Sequence, residues 1–163
     1  MEMFRLNHHW FNSFRFSFST NGINYDSPKV QEFIKKNHQH LSIGITIDGT
    51  REKHDLNRIW KTKDGFSPKP EEEKGSYDDV VRNIPLWLSQ FPYSGTKVTI
   101  SSADIKYIKD SVLHLYSLGI HEVHINVVFE DVWKEGDDKR FEEQLIQLAD
   151  AIVSGILIAH RQY

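Results

Sequence analysis

The run Leu41-Ser42-Ile43-Gly44-Ile45-Thr46-Ile47-Asp48-Gly49 constrains the fold more than any other part of the chain. A short isoleucine-rich segment that ends on an Asp-Gly turn pair reads as a buried strand. Such a strand delivers Asp48 and Gly49 to its carboxyl end, where open α/β sheets and barrels bind their ligands. His54, Asp55, Asn57 and Arg58 follow at once. A carboxylate acceptor, a tight turn and a guanidinium therefore come close together in the chain.

The same strand-then-helix unit recurs. Phe14 to Ser19 alternates aromatic and polar residues, the pattern of a half-buried strand. Ser27 and Pro28 then suit an N-cap and a first helical position, with Val30, Phe33 and Ile34 as the apolar stripe. A polar stretch from Gly49 to Gly75 follows, and its residues 61–75 read as a long loop. Ser76 caps an expected helix from Tyr77 to Gln90, which Pro85 kinks or splits. Lys97 to Ile100 reads as a third strand. Ser102 then caps a helix carrying Ile105, Ile108, Val112 and Leu115, and Gly119 stops it. Val123 to Phe129 reads as a fourth strand, and Phe141, Leu145, Leu148 and Ile152 make the last helix amphipathic. Strands alternating with helices predict parallel βαβ units with right-handed crossovers. The expected layout is a lead-in at 1–13, four βα units at 14–159 and a tail at 160–163.

Composition narrows the function classes. A net charge of −3 offers no polyanion-binding footprint, so nucleic acid is not an expected partner. No apolar run is long enough to span a bilayer, and the N-terminus lacks the layout of a signal peptide; a cytoplasmic location is the expectation. The chain has no cysteine, which removes disulfides and thiolate metal sites. His8-His9, His38 with His40, and His121 with His124 fix no third ligand by spacing, so no metal site is assigned.

Several residues could carry chemistry, and each has a plain structural alternative. Asp48 at a strand end can accept from ribose hydroxyls, or it can simply close an Asp-Gly turn. Arg58 can fork onto a carboxylate, or pair with Asp55 or another nearby acid. His54 and Asp55 read as structural groups that hold Arg58. Asn21 ends the first strand beside Gly22, where it either faces a ligand or forms an ordinary Asn-Gly turn. Asn126, among Val123, Ile125, Val127 and Val128, reads as a buried amide that needs partners. Ile47-Asp48-Gly49-Thr50 is similar to the Asp-x-Asp-Gly-Thr box of haloacid-dehalogenase-type phosphatases, but Thr46 stands where the nucleophilic carboxylate is required.

In order along the chain, Phe16 to Gly22, Leu41 to Gly49 with His54-Asp55 and Arg58, Gly75 to Val80, Lys97 to Ser101, His114-Leu115 with Gly119-Ile120, and Ile125 to Glu130 resemble the middle of a radical SAM enzyme. The resemblance is to the peptide-maturase and sulfatase-maturase branch with a SPASM-type extension, and it covers about residues 14 to 150. It implies part of a (β/α)6 partial TIM barrel, open at one edge. It also implies an S-adenosylmethionine pocket to which Asn21, Thr46, Asp48, Arg58 and Asn126 contribute, and a peptide or protein substrate. The family holds a [4Fe–4S] cluster on a Cys-x3-Cys-x2-Cys loop, and this chain has no such ligands. The expectation is an internal fragment or degenerate copy, inactive alone, which a homodimer or a complementing chain would complete. A different class of function is a non-catalytic interaction module that uses the exposed sheet edge and the aromatic N-terminus.

Overall fold

A computed structural model describes residues 13–60 and 74–160. All but the last residue of the expected lead-in, most of the expected loop and the last residues of the tail lie outside these. Four strands carry the fold: β1 (Phe16–Thr20), β2 (Leu41–Ile45), β3 (Thr96–Ile100) and β4 (Val123–Val127). β1 runs parallel to β2 with Phe16 opposite Leu41, and β3 runs parallel to β4 with Thr96 opposite Val123. The sequence implied one open, curved sheet. Among the described residues the strands instead form two two-stranded sheets.

The seam between β2 and β3 is closed by side chains. Alternate residues of a parallel strand bond to opposite neighbours. The Thr46 N–H goes to the Thr20 carbonyl at 2.8 Å, so the polar groups of Ile43 and Ile47 face β3. Thr96 Oγ1 accepts from the Ile47 N–H at 3.0 Å and donates to the Ile47 carbonyl at 3.4 Å. The buried Trp87 indole N–H donates to the Ile43 carbonyl at 2.7 Å. These bonds satisfy backbone groups that would otherwise be buried without partners. Gly44 lets the backbones close in, since a Cβ there would lie 3.1 Å from the Gly95 carbonyl oxygen.

Strand alternation then sets two faces. Leu41, Ile43, Ile45, Val98 and Ile100 are buried under the helices. Each such side chain contributes about 1.5–3 kcal/mol on burial, which fixes the orientation of the strands. Ser17, Ser19, Ser42, Gly44, Lys97, Thr99, His124 and Asn126 occupy the opposite, polar face.

Six α-helices complete the described residues: α1 (Pro28–Asn37), α2 (Arg51–Asn57), α3 (Tyr77–Val81), α4 (Ile84–Gln90), α5 (Ile108–Ser117) and α6 (Asp137–His160). α2 is the helix expected between the Asp-Gly turn and Arg58, at the start of the polar stretch. It is short and carries no apolar stripe. Thr50 caps it by accepting the Lys53 N–H at 3.4 Å. The expected helix from Tyr77 to Gln90 is two helices, with Pro85 in the first turn of the second. Two caps also differ. Ser101, not Ser102, forms a capping box with Asp104 over a 3-10 turn (Ser102–Tyr107) that leads into α5. Ser76 holds the N-cap position of α3 as expected, but its side chain makes no capping bond. α6 takes in His160, which the sequence reading gave to the tail. No helix of the described residues is long and apolar enough to cross a membrane.

Candidate functional site at the carboxyl ends of the strands

Asp48 lies just beyond β2 and is buried, 3% exposed. Its backbone N–H donates to His54 Nδ1 at 3.2 Å. A ring nitrogen that accepts here leaves the proton on Nε2, which donates to Ser76 Oγ at 3.1 Å. The Ser76 hydroxyl in turn donates to the Arg58 carbonyl at 2.9 Å, and the Ser76 N–H reaches the same oxygen at 3.0 Å. Burial lowers the pKa of His54; nearby Asp48 raises it and Arg58 lowers it again, with a net downward shift. The neutral ring suits this relay, because protonation would remove the acceptor that Asp48 uses.

Asp55 secures the same segment from the other side. Its Oδ1 accepts the Tyr77 N–H at 3.0 Å. A Cβ on Gly75 would lie 1.9 Å from the Asp55 carboxyl carbon, so a larger residue would push that carboxylate off the Tyr77 N–H. Tyr77 meets the His54 ring edge-on and bonds His114 through its hydroxyl. The His-Asp pair is thus structural, as the sequence reading held. It clamps the Gly75-Ser76-Tyr77 segment and so aims Arg58.

Arg58 pairs with Asp48, not with Asp55. Its Nε donates to Asp48 Oδ2, and its Nη2 donates to Oδ1 at 3.3 Å. The pair lines a cavity of about 360 Å³ together with Lys53, Asn57, Thr99, Ser101, Asp104 and Val128. That volume is within the ~300–1,000 Å³ common for small-molecule sites. The cavity gathers residues from the carboxyl ends of β2 and β3, the segment after β4, and α2.

The remaining sequence candidates lie elsewhere. Asn21 is exposed, and its Oδ1 accepts the Ile23 N–H at 3.3 Å, the ordinary Asx-type turn. Gly22 follows with φ 74°. Thr46 is half-buried and lines a second cavity of about 310 Å³ at the seam, with Ser42, Gly95, Lys97 and His124. Asn126 is exposed on the polar face opposite Thr99, which corrects the expectation of a buried amide. β4 lies at an outer position, and nothing in the described residues covers that face of it.

Lys53, Asp104 and Ser101 were missed as site residues. Lys53 Nζ lies 3.0 Å from Asp104 Oδ1 in a buried ion pair. Asp104 Oδ2 accepts from the Ser101 N–H at 3.0 Å and its hydroxyl at 2.6 Å. Burial alone would raise the Asp104 pKa, but the Ser101 bonds and Lys53 hold it below the ordinary carboxylate value. The Ser101-x-x-Asp104 capping pattern was available as a signal. The burial of Lys53 was not, because the pairing joins residues distant in the chain.

No protein-family model and no curated protein matches the chain. Among solved structures, native anSMEcpe with bound AdoMet aligns at 18% identity and TM-score 0.60, over 88% of this chain and 38% of that one. The chain shares the fold of the part of that structure it aligns with. The same protein with bound AdoMet and the Cp18Cys peptide gives equal values. This chain spans well under half the length of these neighbours, and the likeness is one of fold.

Proposed function

We propose that these residues are part of a radical SAM barrel from a peptide-modifying enzyme, and that the carboxyl-end cavity takes S-adenosylmethionine. The observation that carries this reading is the convergence of Asp48 and Arg58 on one polar cavity at the ends of parallel strands, the place where this architecture binds ligands. Neighbours of the same fold hold AdoMet. The residues fit such a cofactor. The cavity offers hydroxyls from Thr99 and Ser101, the Asn57 amide and two ion pairs to a ligand that carries both charges and hydroxyls. In the proposal Asp48 and Arg58 form one wall; Asn21, Thr46 and Asn126 do not line this cavity.

S-adenosylmethionine supplies such enzymes with a radical-generating group. This chain contributes binding and orientation: His54 and Ser76 set Arg58, and Arg58 sets the Asp48 carboxylate. The residues do not fit a [4Fe–4S] cluster, because thiolates hold such clusters and the sequence has no cysteine. No radical step is assigned to these residues, and the proposal makes the chain inactive alone and cytoplasmic. Calorimetric titration with S-adenosylmethionine tests it. Binding that Arg58→Ala weakens tenfold or more is expected, and no binding at millimolar ligand by folded protein would overturn it.

A second reading rests on the outer strands. Phe18 on β1 and Val127 on β4 are 44% and 41% exposed, and Phe129 is 98% exposed. In this reading the open edges receive another copy of the chain or a complementing one. Analytical ultracentrifugation that shows only monomer at high concentration would remove the self-association form.

A further inference from the structure

The side chain of Lys53 is 1% exposed, yet it lines the carboxyl-end cavity. An ammonium has three N–H donors. Asp104 Oδ1 occupies one at 3.0 Å, and no other acceptor for Lys53 Nζ is present among the described residues. A buried charge costs several kcal/mol unless its donors are met. Asp104 cannot meet more, because its second oxygen is already held by the Ser101 N–H and hydroxyl. Arg58 differs. Its Nε and Nη2 are both committed to Asp48. Arg58 keeps three of its five N–H donors, but its side chain is 32% exposed and water can meet them; Lys53 is the buried cation whose spare donors only the cavity can meet, and Asp104 fixes where they point.

We infer that Lys53, held by Asp104, receives the carboxylate of a small ligand in this cavity, the role that the sequence pattern gave to Arg58. The inference rests on the S-adenosylmethionine reading, since that cofactor brings an α-amino carboxylate. Carboxylate binding to an ammonium is a charge-assisted contact, stronger than one between neutral groups. It would complete the donor set of a lysine that the fold otherwise leaves partly unmet.

The test compares three probes by calorimetry: S-adenosylmethionine, L-methionine, and 5′-methylthioadenosine, which keeps the nucleoside and lacks the amino-acid carboxylate. Lys53→Met is measured beside Lys53→Met/Asp104→Asn, which avoids leaving the Asp104 charge without its cation. The wild-type chain is expected to bind S-adenosylmethionine at least tenfold tighter than methylthioadenosine. Either folded variant is expected to lose that preference while binding methylthioadenosine as before. A folded variant that keeps the tenfold preference overturns the role of Lys53 and leaves the cofactor reading standing. Lys53-dependent binding of L-methionine, with no binding of either adenosyl compound, supports the inference and overturns the cofactor reading. Failure of the folded wild-type chain to bind any of the three overturns both.

Discussion

The carboxyl ends of β2 and β4 differ sharply in how they are built. After β2, His54, Asp55, Ser76 and Gly75 form a closed set of contacts around Asp48 and Arg58. Near the end of β4 Asn126 is exposed, and so is Phe129 just beyond it. The first end is preorganised, because a buried relay settles each rotamer before any ligand arrives. The second has polar and apolar groups in place but little to fix them. A motif made of several polar residues close in sequence therefore marks fixed geometry here, whereas a lone amide in a strand does not.

The comparison breaks first at the glycines of the clamp. Gly75→Ala would drive a Cβ into the Asp55 carboxylate, and urea denaturation should show a loss of about 3 kcal/mol or more. Gly49→Ala should cost a similar amount, since Gly49 has φ 120° and its Cβ would lie 2.1 Å from Ser111 Oγ. A loss below 0.5 kcal/mol at Gly75 would mean that the clamp is loose. Next comes His54→Ala, which leaves the Asp48 N–H without its acceptor and removes the bond to Ser76; about 2–4 kcal/mol is expected from two broken buried bonds and a cavity.

Acid should act on the same ring. Burial holds His54 and His114 below the ordinary histidine value of 6.5. As pH falls the unfolded chain takes up these protons first. Stability is then full above about 6.5, declines below it, and levels off once the pH has dropped through the folded-state values. Denaturation midpoints measured from pH 8 to 5 should follow that course, and His54→Ala should flatten it. A flat profile in the wild-type chain would contradict a neutral, buried His54.

Smaller effects sharpen the contrast. The Ser111 hydroxyl is buried without a hydrogen-bond partner among the described residues, so Ser111→Ala should be neutral or stabilising by about 1 kcal/mol. A clear loss of stability would reveal a hidden partner. Asn126→Ala should change stability by less than about 0.5 kcal/mol, as expected of an exposed strand residue.

How much of this was legible depends on the range of the interaction. The four strands, the split at Pro85 and the structural role of His54-Asp55 follow from local patterns, and all are present. The seam between β2 and β3 was not legible. It depends on Thr96 and Trp87 reaching backbone groups of β2, contacts 49 and 44 residues apart in the chain. α2 was legible as a helix after the Asp-Gly turn, but its burial of Lys53 and His54 in place of an aliphatic stripe was not. Asp48 and Arg58 were candidates from the sequence, but their pairing with each other, and the spare donors of Lys53, appear only once the chain is folded.

The central claim is that a ligand enters where the clamp ends. Backbone amide shifts recorded by NMR during titration with S-adenosylmethionine test it most directly. The account predicts the largest shifts at Asp48, Lys53, Asn57, Arg58, Ser101 and Asp104. Shifts concentrated instead at the seam cavity, around Ser42, Gly95 and Lys97, or no shifts at saturating ligand, would contradict it.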